Sequence, residues 1–187
     1  MDTNQAIELI ADAIPGAGGT WADVGAGHGT FTRALARVLG PTGRIYAVDR
    51  DPRAFASLRR LSPRERTAIV PVLADFTQSF ALPGLDEAPL DGLLVANALH
   101  FVPDAEGVLA RLVALIRPGG RVVLVEYDRR AANRWVPYPI PIARLPDLAR
   151  SVGLSRPTIT ATRPSAFGGT LYAAVADIAG VRPSRPP

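Results

Sequence analysis

Short β-branched apolar runs alternate along the chain with stretches whose apolar residues recur every three or four positions. The runs are Trp21 to Val24, Arg44 to Val48, Ala68 to Leu73, Gly92 to Ala96 and Arg121 to Tyr127. Between them the helical period covers Thr30 to Leu39, Pro52 to Leu61 and Ala105 to Arg117. Pro52 suits a first helical turn, and Leu39-Gly40-Pro41 and Arg117-Pro118-Gly119-Gly120 read as helix stops. That alternation predicts an α/β domain on a mostly parallel sheet. The rhythm then breaks. Four prolines between 137 and 146 predict an extended crossing segment and a short helix ending near Gly153. Thr158 to Thr162 and Leu171 to Ala176 follow as a strand pair, joined by a loop of hairpin length, which brings the total to about seven strands.

At 187 residues the chain is expected to form one domain over 1–180, with 181–187 as a flexible tail. No apolar run is long enough to span a bilayer, and the N-terminal stretch carries Asp2, Glu8 and Asp12 where a secretory leader needs basic residues. A soluble, cytoplasmic protein is expected. The absence of cysteine excludes disulfides, thiolate metal sites and cysteine nucleophiles. All 21 basic residues are Arg, and they are unevenly spread. Residues 1–116 hold 10 Arg against 13 acids, whereas 117–187 hold 11 Arg against 4, so the C-terminal third is basic. That excess either meets an anionic ligand or nucleic acid, or forms a solvated surface.

The strongest local signal is Asp23-Val-Gly25-Ala26-Gly27-His28-Gly29, between the first predicted strand and helix. Closely spaced glycines there admit a ligand against the backbone, beside the free N–H groups of a helix start. The dinucleotide fingerprint would need glycine at position 30, which is Thr30. Asp23, two residues before the first glycine, would also repel a pyrophosphate and attract a cation. A nicotinamide dinucleotide is therefore disfavoured. Asp49 follows the second strand, where a carboxylate can accept both hydroxyls of a ribose; the other open reading is a cap, by Asp49 or Asp51, on the helix opening at Pro52. Asp75 follows the third strand, placed to accept from an adenine amino group while Phe76 packs on the ring. Three acids after three successive strands all fall on the side where α/β sheets bind ligands.

Taken together, DVGAGHG, VDRDP, LADF, DGLLVANALHFV and LIRPGGRVVLVEY resemble the successive motifs of class I S-adenosylmethionine-dependent methyltransferases, over roughly Thr20 to Tyr127. The resemblance implies a Rossmann-like three-layer sandwich whose seven-stranded sheet is mostly parallel, with an antiparallel terminal strand inserted beside the fifth. It implies S-adenosylmethionine as methyl donor and S-adenosylhomocysteine as product. It also implies that Asp23 faces the methionine ammonium and that Gly25, Ala26, Gly27 and His28 wrap the cofactor. Asp49 would hold the ribose and Arg50 would flank the adenine. Asp75 and Phe76 would hold that ring, and Asn97 would touch the methionine end.

Displacement from a sulfonium needs alignment and exclusion of water, with a base only when the acceptor loses a proton. His100, near the end of the fourth strand, is one candidate base; Tyr127 and Glu126, ending the fifth, are alternatives. Asn97 is followed by Ala-Leu-His rather than the Pro-Pro-Tyr used by exocyclic-amine methylation in this class. Carboxylates are too few for a metal-dependent site, so no metal is expected. The acceptor wall is expected in 133–139, where Trp135 and Tyr138 are stiffened by prolines, with Arg129, Arg130 and Arg134 near enough to clamp an anion. The reading is methyl transfer to a small, anionic or aromatic acceptor, with a second subunit a candidate to complete the site. An RNA or protein acceptor met by the basic third, and a non-catalytic cofactor-binding protein, stay open as alternatives.

Overall fold

The computed structural model describes residues 1–85, 89–129, 131–165 and 169–179. The tail expected at 181–187 and the Arg130 clamp lie outside the described residues.

Seven strands form one sheet in the order β3-β2-β1-β4-β5-β7-β6: β1 Gly19–Val24, β2 Gly43–Asp49, β3 Ala68–Leu73, β4 Leu90–Ala96, β5 Ile116–Tyr127, β6 Thr158–Pro164 and β7 Thr170–Asp177. The first five run parallel; β7 lies antiparallel between β5 and β6. The expected Rossmann-like sandwich with an inserted antiparallel strand is what the chain forms. Among the described residues five α-helices complete it: α1 Thr3–Ile10, α2 Thr30–Leu39, α3 Pro52–Leu61, α4 Ala105–Val113 and α5 Leu145–Ser151.

The pleat sorts the strands' side chains onto two cores. Ile45 and Ala47, Leu94 and Ala96, and Val123 and Val125 pack with α1, α2 and α3 on one face. Tyr46 and Val48, Leu93 and Val95, and Val122 and Leu124 pack with α4 and α5 on the other. Because both faces are covered, the strands read as continuous apolar runs rather than alternating ones. Asp2 and Gln5 make a reciprocal capping box on α1, and Asp51, not Asp49, caps α3 by accepting from the Arg53 N–H.

One boundary differs. The helix expected to reach Arg117 ends at Val113, and β5 begins at Ile116. The Pro118-Gly119-Gly120 break falls inside the strand, where Gly119 takes φ +73° and the β4–β5 register shifts between Leu90 and Gly92. A glycine bulge bends the strand without ending it.

Candidate functional site

β1 and β4 are neighbours although three strands apart in sequence, so the chain leaves them in opposite directions and opens a crevice at their carboxyl ends. The glycine turn floors it. The N–H groups of Gly25 and Ala26 both donate to the Val48 carbonyl, at 2.9 and 3.0 Å, which folds the turn onto β2. Gly25 has φ +75°, and a Cβ there would stand 2.4 Å from the Ala98 methyl. Gly27 has φ +55° and faces open space. One glycine lets two chain segments touch, and the other leaves room for a ligand.

The acids beyond β2 and β3 are held differently. Asp49 spreads its two oxygens between the N–H groups of Gly27 (2.7 Å) and Asp51 (2.8 Å), so each oxygen keeps a lone pair for a further donor. Asp75 binds the Thr77 backbone and hydroxyl through one oxygen and Arg50, at 3.3 Å, through the other. The Thr77 hydroxyl chiefly, with the Thr77 N–H and Arg50 adding to it, holds its carboxyl below the ordinary value. Thr77 went unnoticed in the sequence, although Asp-x-Thr after a strand is a turn signature.

These residues line a cavity of about 310 Å³ with Gly25, Gly27, Phe76 and Asn97. Three expected cofactor residues stand elsewhere. Asp23 is buried beneath the turn and accepts from the Thr32 hydroxyl at 2.6 Å; burial pushes its carboxyl up to about 7. Ala26 is buried and His28 points outward to Ser57, 3.2 Å away.

Asn97 is the hinge of the site. It is the non-glycine residue at positive φ (53°) among the described residues, a conformation asparagine tolerates better than most. Its buried Oδ1 has no hydrogen-bond partner among the described residues. A buried acceptor left unpaired costs about 1–3 kcal/mol, so a donor on a bound ligand is the natural complement. Asn97 and Phe101 also line a second cavity of about 500 Å³, with His100, Tyr127, Arg129 and Trp135. The two spaces meet at Asn97.

His100 is 2% exposed and Glu126, next to last in β5, is fully buried. Glu126 Oε1 accepts from the N–H groups of Leu99 (3.0 Å) and His100 (3.2 Å), and Oε2 lies 2.6 Å from His100 Nδ1. A carboxylate serving as acceptor there selects the Nδ1–H tautomer and leaves a lone pair on Nε2 of a ring that lines the cavity. Tyr127 packs edge-on, 5.8 Å from the imidazole. Burial first, then the Glu126 charge, push its phenol above its ordinary value, so it keeps its proton near neutral pH.

The crossing segment is pinned to this centre: the Tyr138 N–H donates to the His100 carbonyl (3.0 Å) and the Tyr172 hydroxyl to that of Ile140 (2.7 Å). Trp135 stands 67% exposed at the mouth, with Arg134 over its ring at 4.6 Å. Trp135 lines the cavity, whereas Arg134 and Tyr138 flank it. A further space of about 540 Å³ opens at the other end of the sheet, but its arginines are spent on acids, Arg117 on Asp91 and Arg121 on Asp177. No helix among the described residues is long and apolar enough to cross a membrane.

A glycine-floored crevice at the β1/β4 switch, acids at the carboxyl ends of β2 and β3 and an antiparallel β7 define a class I S-adenosylmethionine-dependent methyltransferase fold. The profile of the family described as "Methyltransferase domain" matches residues 22–122, and the chain belongs to that family. A protein-L-isoaspartate O-methyltransferase of Methanothrix thermoacetophila is 32% identical over 103 residues, 54% of this chain and 44% of that protein. The ubiquinone/menaquinone biosynthesis C-methyltransferase of Burkholderia mallei is 28% identical over 120 residues, 64% of this chain and 48% of that one. The chain thus spans about half the length of these curated relatives. Among solved structures, the 1,6-didemethyltoxoflavin-N1-methyltransferase of Burkholderia thailandensis, with bound S-adenosylhomocysteine, superposes at TM-score 0.69 and 24% identity. That likeness covers 95% of this chain and 78% of the other, and it carries the fold alone.

Proposed function

We propose that the protein methylates a small-molecule acceptor that must lose a proton, and that His100 is the base. The observation that carries this reading is the buried His100–Glu126 pair facing a cavity that joins the cofactor crevice at Asn97. S-Adenosylmethionine supplies a methyl group already activated as a sulfonium. The chain's residues do the rest. Asp49 accepts the ribose hydroxyls, Phe76 and Asp75 flank the adenine, and Asn97 Oδ1 accepts from the methionine end. Asp23, beneath the turn, positions the glycines through Thr32 rather than meeting the ligand in the open crevice. Nε2 of His100 takes the acceptor's proton, while Glu126 holds the tautomer and stabilises the imidazolium that results. Phe101, Tyr127 and Trp135 wall the acceptor.

Calorimetric titration with S-adenosylhomocysteine, with NAD as control, tests the cofactor half. Micromolar binding of the first, weakened roughly ten- to a hundredfold in Asp49→Ala, is the expected result, on the scale of lost hydrogen bonds to a charged group. Turnover on a panel of small acidic acceptors tests the other half. Salt-sensitive retention of RNA, or tight cofactor binding without turnover on any acceptor, would favour the nucleic-acid or the non-catalytic reading instead.

A further inference from the structure

Arg129 is the charged side chain for which the methyl-transfer scheme has no use. It is half-buried, it lines the acceptor cavity, and it enters no ion pair among the described residues. Of the acids beside it, Glu126 is closed on His100 and Asp128 gives one oxygen to the Ile142 N–H at 3.0 Å; neither is ion-paired with Arg129 among the described residues. A tight turn fixes its backbone, the Arg129 N–H donating to the Tyr127 carbonyl at 2.9 Å. The rest of the wall is largely aromatic: Phe101, Tyr127 and Trp135, the last braced by Arg134 over its ring. A partly desolvated guanidinium with no ion-pair partner among the described residues, set in an aromatic wall, is complementary to a flat anion.

We propose that Arg129 is the specificity-determining residue of the acceptor site, and that it selects a planar, apolar acceptor carrying one carboxylate. This rests on the methyltransferase reading above. A single guanidinium matches one negative charge, and its planar fork takes a carboxylate through two parallel hydrogen bonds. A phosphate dianion would bring a second charge into a wall that offers no further cation in contact with the cavity among the described residues. Arg129 and His100 line the same cavity, so the ring presents its acidic position to Nε2 while its carboxylate is held at Arg129.

The test is calorimetric titration of the full chain, saturated with S-adenosylhomocysteine, with 1-hydroxy-2-naphthoate and with its neutral carboxamide. The acid should bind at least about tenfold more tightly than the amide, the scale of a charge-assisted hydrogen bond. Arg129→Gln should collapse that ratio to about one, and Arg129→Lys should leave it intermediate, with S-adenosylhomocysteine affinity equal in all three proteins. Equal affinity for acid and amide, a preference surviving in Arg129→Gln, or no binding of either probe to the loaded protein would each overturn the inference. Failure to bind S-adenosylhomocysteine at all would sink the parent reading and this one with it, so the two failures are distinguishable.

Discussion

The two cavities that meet at Asn97 are built by opposite means. The cofactor crevice is made of backbone turns and strand ends, with Gly25, Gly27, Asp49 and Asp75 each within two residues of a strand or in the first loop. The acceptor cavity is made of side chains that meet only through the tertiary fold: His100 from the loop after β4, held from behind by Glu126, Tyr127 from β5, and Trp135 from a crossing segment braced by its hydrogen bond to His100. The first is fixed by the sheet and suits a ligand that never changes. The second can be rebuilt by altering a loop without disturbing a strand, which is how one fold serves many acceptors.

The largest effect should come from Gly25→Ala. The new methyl would stand 2.4 Å from the Ala98 methyl at a φ of +75°, where a non-glycine residue costs about 1–2 kcal/mol before any clash. We expect S-adenosylhomocysteine binding to vanish in calorimetry; retained binding would mean that the crevice does not depend on that contact. Glu126→Gln should instead spare the cofactor and lower kcat by about 10²–10⁴, because an amide offered to Nδ1 no longer fixes the tautomer that leaves Nε2 free. Unchanged kcat on a proton-losing acceptor would remove His100 as base.

The same contrast explains what was legible in the sequence. Strand-end acids and glycine spacing are local, so Asp49, Asp75 and the turn could be placed before any coordinates. The His100–Glu126 pair spans 26 residues and two strands, and only the β4–β5 register brings it together; the sequence offered the two as separate candidates. The start of β5 was obscured for a different reason. Leu112 to Ile116 is apolar in a way that suits a helix end or a strand start, and Pro118-Gly119-Gly120 looks like a terminator until β4 pairs with it. Asp23 fits the motif, but its depth beneath the turn depends on the packing of α2.

That depth has a consequence for stability. The folded carboxyl of Asp23 titrates at about 7, above its ordinary 3.8, mainly because burial disfavours the charge. Between these values the native state binds more protons than the unfolded chain, so stability falls as pH rises from about 4 to 7. At about 1.4 kcal/mol per pKa unit the loss reaches about 4 kcal/mol at most. Asp23→Asn should flatten that slope in urea unfolding followed between pH 5 and 8. A slope equal to the wild type's would assign it to another group.

Trp135→Ala should have the smallest effect, and it separates the two cavities most cleanly. Trp135 lines the acceptor space and not the cofactor crevice, and at 67% exposed it contributes little to the core. Truncation therefore removes a wall without opening the interior, and an aromatic contact of about 0.5–1.5 kcal/mol beyond area burial translates to a rise in acceptor KM of roughly tenfold or less. S-Adenosylhomocysteine affinity and melting temperature should stay at wild-type values. Equal losses for both ligands would mean that the crossing segment closes over the whole crevice, and the division of the site at Asn97 would have to be given up.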